Sequence, residues 1–273
     1  MTEKIDFSKS EQYTLSIRLS TDGFSFSIYN PLSSNDFFYQ KYDINAQHSM
    51  AANVKQFIND TQAIKNNFRR VNIFIASNRY TSIPLDFFNE ANMESIYYQN
   101  VTKENNEIVL CNMLSRSNIA IVFSIDKLTH LYFSEQFPAA RFYATVSPIT
   151  EDFSFKSKQG NSNKLYANIR GNHIDLFAFC KGRLLFLNSF KTTCSEDICY
   201  YILNVWKQLN YDQERDELHI YGNTQMRKET SEKLQEFLKH IFIINPQAEF
   251  NSASPGGEAD TIPLEMQSII TCE

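Results

Sequence analysis

The hydrophobic positions of this chain follow two different periods, and the order of the two periods is repeated along the chain. In the first half, residues 13–29 alternate between apolar and polar side chains around Asp22-Gly23, which predicts a β-hairpin. The rest of that half predicts a strand over about 37–44, an amphipathic helix within 47–68, a buried strand over 71–77 and a helix over about 86–98.

The second half of the chain repeats this order. The stretch KLYANIRGNHIDLFAF, residues 164–179, predicts a hairpin that turns at Gly171-Asn172, and a third strand follows. The remaining periods predict a helix that begins near Ser195, a buried strand over 217–223, a helix that contains Leu234 and Leu238, and a strand over 241–245. The order strand-strand-strand-helix-strand-helix therefore occurs twice, with the hairpins roughly 150 residues apart.

The segment between the two copies predicts an insertion and a linker. Residues 107–125 have the pattern of a hairpin, and a helix over about 126–136 and a strand over 141–149 follow. The polar stretch KSKQGNSNK, residues 156–164, is typical of a linker. We therefore predict an N-terminal lobe over residues 1–155, with an insertion at about 105–137, and a C-terminal lobe over residues 164–273.

Composition and charge exclude several classes of protein. The net charge of -5 argues against a nucleic-acid partner, which would need a basic face. No apolar stretch approaches the roughly 18 residues that span a bilayer, and the start, MTEKIDFSKSEQYT, lacks the basic and apolar regions of a signal peptide. The five cysteines form no CxxC pair, which favours a reducing compartment over a zinc site. We expect a cytoplasmic protein without a membrane span or a metal.

Glycine is scarce, with seven residues in 273. Loops that bind phosphate bring backbone amides close to the ligand, and glycine usually permits this approach because it has no Cβ. The chain has neither a GxxxxGKS/T nor a GxGxxG motif. We therefore expect no cofactor.

The duplicated element order resembles the actin-like ATPase superfamily, which includes sugar kinases, Hsp70-type chaperones and pilus-assembly proteins of the PilM type. The resemblance covers nearly the whole chain at the level of the pattern. The chain is most similar to degenerate members of the superfamily, which are bacterial proteins of unknown function. It implies an α/β fold of two duplicated actin-like (RNase H-like) βββαβα lobes with mixed sheets.

The phosphate-binding signature of that superfamily lies in the C-terminal hairpin and reads Asp-x-Gly-Gly-Gly-Thr-x-Asp. This chain matches it at Gly171 and at the final Asp175. Asn168 replaces the leading carboxylate, Arg170 adds bulk at a glycine position, and His173 replaces the threonine. Because Mg²⁺ prefers carboxylate oxygens, these replacements weaken the metal and phosphate sites that the resemblance implies.

The other two motif positions are also altered. Arg18 stands where the superfamily has an Asp at the end of the first strand. Gly222 matches the first glycine of the turn that contacts adenosine, and Asn223 replaces the second. We therefore predict no catalytic residue, and we expect the following positions to surround a degenerate cleft between the lobes: Arg18, Asn168, Gly171, His173, Asp175, Gly222 and Asn223.

Two functions from different classes remain. The first is a catalytically inert actin-like scaffold or adaptor that binds another protein, through the cleft between the lobes or through the insertion. The second is a divergent nucleotide-binding protein or kinase that uses replacement residues. His173 and Asp175 share a face of one strand and could act as an acid–base pair. We favour the interpretation that these two residues form a polar edge of the hairpin. The sequence is also compatible with a homodimer.

Overall fold

A computed structural model describes residues 5–222, 224–244 and 262–272. It contains two five-stranded mixed sheets and one three-stranded sheet. The duplicated fold class predicted from the sequence is confirmed, because each five-stranded sheet has three antiparallel strands followed by two parallel ones.

The sheet of the first lobe has the strand order β3-β2-β1-β4-β8. The hairpin of β1 and β2 forms because both strands alternate apolar and polar residues and the turn at Asp22 precedes Gly23, whose φ is 144°. The strands of this sheet are β1 (Thr14–Ser20), β2 (Gly23–Asn30), β3 (Ser33–Tyr42), β4 (Arg70–Ile75) and β8 (Arg141–Ala144).

The sheet of the second lobe has the equivalent order β11-β10-β9-β12-β13. Its first three strands are antiparallel, and β12 and β13 are parallel to β9. The strands of this sheet are β9 (Lys164–Arg170), β10 (His173–Cys180), β11 (Arg183–Lys191), β12 (Glu217–Gly222) and β13 (His240–Ile243).

The two hairpins have the same register. Ser20 pairs with Gly23 across the first turn, and Arg170 pairs with His173 across the second. Counted from the turns, Arg18 and Asn168 therefore occupy equivalent positions in the two lobes.

A third sheet, of order β5-β7-β6, is inserted into the first lobe. Its strand β5 precedes the predicted insertion at about 105–137, so the inserted sheet begins earlier in the chain than predicted. One face is covered by α2, whose Tyr97 packs with Ile83 and Val122. The elements are β5 (Tyr80–Pro84), α2 (Met93–Asn100), β6 (Glu107–Leu114) and β7 (Ile119–Asp126), with short 3-10 helices at Leu85–Phe87 and Glu90–Asn92.

The other helices cover the two lobe sheets. They are α1 (Met50–Asp60), α3 (Lys127–Gln136), α4 (Val146–Lys156), α5 (Ser195–Gln208), α6 (Thr224–Leu234) and α7 (Leu264–Cys272), with 3-10 helices at Phe7–Gln12 and Gln62–Lys65. Ser49 caps α1 by accepting a hydrogen bond from the amide of Ala52, and Phe57 and Ile58 on its apolar stripe join the first core. No helix among the described residues is long and apolar enough to span a bilayer.

The helices α4 and α7 each follow one lobe in the chain and pack against the other lobe. α4 follows β8 of the first lobe, but its Phe153 stacks on Tyr166 of the second lobe at 4.2 Å between ring centroids. α7 follows the second lobe in the chain, but its Met266 packs beside Phe74 of the first. Because α4 and α7 also contact each other, the two helices link the cores of the two lobes.

Three predicted elements were placed wrongly. Residues after Ala144 begin α4 instead of continuing a strand, because α4 is buried along most of its length and so shows no helical period. The helix predicted around Leu234 and Leu238 lies earlier, at α6, whose buried face is largely polar. The predicted helix at 86–98 is two short 3-10 turns followed by α2, and the first lobe's second crossover is α3.

Candidate functional site

Two cavities meet at the turns of the lobe hairpins. The first, of about 520 Å³, lies among the two turns and the inserted sheet. The second, of about 440 Å³, lies among the β9–β10 turn, the end of β12, strands β2 and β3, and the start of α7. Both cavities are bordered by Arg18, Asp22, Arg170 and Gly171. The hairpin turns therefore form the wall that the cavities share.

The guanidinium of Arg18 is paired within the protein. Its Nε donates a hydrogen bond to Glu265 Oε1 at 2.6 Å, and the two side chains are 13% and 3% exposed. Its Nη1 lies 4.0 Å from Asp22 Oδ1 at the hairpin turn. The cation that stands at the position of the superfamily's Asp is thus neutralised by an acid from α7.

The carboxylate of Asp175 lies in the interior and borders neither cavity. Arg170 donates to both of its oxygens, from Nε at 2.6 Å and from Nη2 at 3.0 Å. Ser189 Oγ donates at 2.5 Å, and Asn168 Nδ2 is 3.4 Å from Oδ2. Burial alone would lower the pKa of Arg170, but the charge and hydrogen bonds of Asp175 outweigh burial and raise that pKa.

The polar groups at the turns have perturbed pKa values. Burial, followed by the charge of Arg170, lowers the pKa of His173, which borders the first cavity. For Asp22, burial opposes ionisation, but the hydrogen bond from Ser20 and the charge of Arg18 lower the pKa overall. At neutral pH the first cavity is therefore bordered by a neutral imidazole and an ionised carboxylate.

The two motif glycines occupy different surroundings. Gly171 has a φ of 53°, and a Cβ there would meet no atom within 4 Å. Gly222 has a φ of 100°, and a Cβ there would lie 1.9 Å from the carbonyl oxygen of Ile169. Gly222 is therefore required by the close approach of β12 to β9, while Gly171 leaves open space at the cavities.

The structure brings most of the motif positions together. Arg18, Asn168, Gly171 and Gly222 border the second cavity, and Arg18, Gly171 and His173 border the first. Asp175 lies behind them and holds Arg170 and Asn168. The remaining position, Asn223, falls outside the described residues.

Several side chains at the cavities were not predicted from the sequence to be there. Arg79 donates from Nη2 to both carboxylate oxygens of Glu107, at 3.1 and 2.8 Å, and its Nη1 lies 2.8 Å from Glu104. Asn78 accepts from Arg170 at 2.7 Å. The partner of Arg18, Glu265, is 247 positions away in the chain. No local pattern indicates these contacts, because each joins distant segments.

The architecture defines a class of protein. Two mixed five-stranded sheets with equivalent topology, with hairpin turns that face a common cleft, are the actin-like ATPase fold. A crystal structure from Bacteroides thetaiotaomicron VPI-5482, of a protein with actin-like ATPase fold and unknown function, is 45% identical and has a TM-score of 0.85. The similarity covers 98% of this chain and 99% of that one.

The family is also shown by the sequence. The chain belongs to the family described as "Protein of unknown function (DUF3822)", which matches residues 2–241. A chain of the PilM-PilN type IV pilus biogenesis complex has the same fold, with a TM-score of 0.61 at 9% identity over 94% of this chain and 96% of that one. Among curated proteins, none matches this chain.

The residues present do not fit the Mg²⁺–nucleotide complex that the fold class implies. Such a complex needs carboxylates that converge on the metal. Arg18 and Asn168 occupy the two equivalent hairpin positions, and the retained Asp175 is enclosed by its own donors. In the part of the chain that the structure describes, no group of three or more His, Cys, Asp or Glu is arranged to hold a metal ion.

Proposed function

We propose that this protein is a non-catalytic member of the actin-like ATPase fold that acts as a scaffold or adaptor for another protein. The observation that carries the proposal is the buried pair of Arg18 with Glu265. It puts a neutralised cation where phosphoryl transfer would need a carboxylate to organise Mg²⁺. Because Glu265 of α7 accepts a hydrogen bond from this guanidinium, the two side chains neutralise each other and contribute to packing.

The proposed binding surface is the rim of the first cavity. Asn172 and His173 border it from the second lobe and Asp22 from the first, while the inserted sheet supplies the opposite wall. A concave surface with separate polar anchors favours a protein segment held by hydrogen bonds. The fold neighbour in the PilM-PilN complex is itself part of an assembly of two proteins, which supports this class of function.

A cytoplasmic location is part of the same proposal. Cys111, Cys180, Cys194 and Cys199 are free thiols. Unpaired thiols persist in a reducing compartment, whereas secreted proteins tend to use cysteine in disulfides.

The second candidate function is a divergent nucleotide-binding protein or kinase. It is favoured by the open space beside Gly171, which borders both cavities. Direct binding measurements separate the two candidates.

We expect millimolar Mg·ATP to leave the melting temperature of the protein unchanged and to be hydrolysed no faster than in buffer. A ligand at about 100 times its Kd would stabilise the folded state by about 2.7 kcal/mol, which a melting curve resolves. The comparison variant is Arg18→Asp/Glu265→Gln, which restores a carboxylate at the hairpin without placing two buried acids side by side. A saturable shift of the wild-type protein would support the nucleotide-binding candidate instead.

We expect the double variant Asn172→Trp/His173→Trp to lose the protein partner, because two indole rings would fill the rim of the first cavity. Both side chains border that cavity, so the core packing is retained. Partners are crosslinked in the native cells, captured and quantified by mass spectrometry, and the crosslinked residues are mapped.

The matched control is Asn59→Trp, on the exposed face of α1 and outside both cavities. Partners retained by Asn59→Trp and lost by the double variant would support the cavity rim as the binding surface. A folded double variant that captures the same partners would exclude the rim, and the predicted insertion at about 105–137 would be tested next.

A further inference from the structure

A ring of hydrogen bonds joins the two lobes through Asp175. Arg170 binds Asp175 and also donates to Asn78 Oδ1, at 2.7 Å, at the entry to the inserted sheet. On the other side of the carboxylate, Ser189 donates to Asp175 at 2.5 Å, and the hydroxyl of Tyr80 lies 2.8 Å from Ser189 Oγ. These five residues form the Asp175 bridge.

Both ends of the Asp175 bridge return to one short segment. Asn78 and Tyr80 are two positions apart beside and within β5, whereas the other three residues lie on β9, β10 and β11. A serine hydroxyl has one proton, and Ser189 gives it to Asp175, so the Tyr80 hydroxyl is the donor to Ser189. Moving the lobes apart therefore breaks two hydrogen bonds together.

Apolar packing shields the Tyr80 side of the bridge from water, whereas Asn78 and its hydrogen bond from Arg170 are exposed. Tyr80 and Phe123 of the inserted sheet belong to the same core cluster as Phe177 and Phe179 of the second lobe. Tyr80 is 9% exposed and Asp175 is fully buried. Opening the bridge would leave the buried hydroxyl of Tyr80 without its acceptor, which is costly in a medium of low dielectric constant, while Asp175 would keep its partners because they all lie in the second lobe.

A separate ion pair holds α7 against the first hairpin. Glu265 of α7, which follows the second lobe in the chain, is bound by Arg18 of β1. α7 itself packs on the first lobe through Met266 and Ile269. The first hairpin is thus tied to α7 by one ion pair, and the second hairpin is tied to the start of β5 in the inserted sheet by the Asp175 bridge.

We infer that the Asp175 bridge locks the two lobes in one relative orientation, so that the hairpin resembling a phosphate-binding loop holds the lobes together. The protein presents a preformed surface and does not close around a ligand. This inference is independent of the proposed function, since a locked protein can bind a protein or a nucleotide.

The test is a double-mutant cycle of Tyr80→Phe and Ser189→Ala, read by hydrogen exchange and thermal unfolding of the full chain. We expect either variant to speed amide exchange by about tenfold both at residues 76–84 and at residues 170–191, because one opening exposes both sides. The combined loss in melting temperature should be smaller than the sum of the single losses, because both variants remove the same hydrogen bond.

The control is Thr193→Ala, which removes a hydroxyl that donates to a carboxylate, Asp197, within the second lobe. It should leave exchange at residues 76–84 unchanged. The inference is overturned if Ser189→Ala speeds exchange only at residues 170–191, or if the losses in melting temperature add. Binding of Mg·ATP would bear on the proposed function alone.

Discussion

Gly222→Ala is expected to destabilise the protein by about 3 kcal/mol or more, since backbone strain and overpacking each contribute on the order of 1–3 kcal/mol. The φ of Gly222 is 100°, a conformation that L side chains rarely adopt. An added Cβ would also lie 1.9 Å from the oxygen of Ile169, a backbone atom that cannot rotate away. β12 would have to move from β9, and the register at the end of the sheet would be lost.

The matched control is Gly171→Ala in the same cleft. The φ of Gly171 is 53° and its Cβ would meet no atom, so only the left-handed conformation is penalised, by about 1–2 kcal/mol. Urea unfolding followed by circular dichroism gives both values. Equal losses for the two variants would contradict the close approach of β12 to β9.

Asp175→Ala is expected to destabilise the protein by about 3–5 kcal/mol, because it removes one member of a buried ion pair and leaves the other charged. Arg170 would lose both hydrogen bonds to the carboxylate while its side chain stayed only 19% exposed. Ser189 and Asn168 would lose an acceptor as well. The loss is measured as the shift in the urea midpoint at unchanged slope.

Two further variants test the cause of that loss. The double replacement Arg170→Met/Asp175→Leu removes both charges and keeps apolar volume, so it should recover much of the stability. Glu214→Gln breaks the exposed pair with Lys239 and should leave the midpoint unchanged. A double replacement as unstable as Asp175→Ala would show that the packing of these side chains, and not the unpaired charge, causes the loss.

Much of the fold follows from local patterns. Both hairpins were predicted because alternation specifies the buried face of each strand and the turns carry residues that accept a positive φ. The amphipathic α1 was predicted because Val54, Phe57 and Ile58 lie on one stripe. The duplication, which repeats these local signals in one order, then predicts the class of fold.

The errors lie where burial does not follow a simple period. The buried residues of α6 include Arg227, Thr230 and Ser231, and Arg227 donates to the carbonyl of Ile244 at 2.7 Å. A polar face that is buried by hydrogen bonding looks like a solvated face in the sequence. The strand β5 was missed because its sequence, YTSIP, does not alternate, since its two buried residues, Tyr80 and Ile83, are three positions apart.

The two hairpins, the repeated element order and the replacement of carboxylates at Arg18 and Asn168 can be predicted without a structure, because each depends on a residue and its near neighbours. What those positions contact depends on how the lobes pack together. Arg18 is neutralised by Glu265, and Arg170 reaches Asn78 through contacts that span 247 and 92 positions of the chain. Such pairs are selected by the packing of whole lobes, since the charges lose water only when distant segments come together.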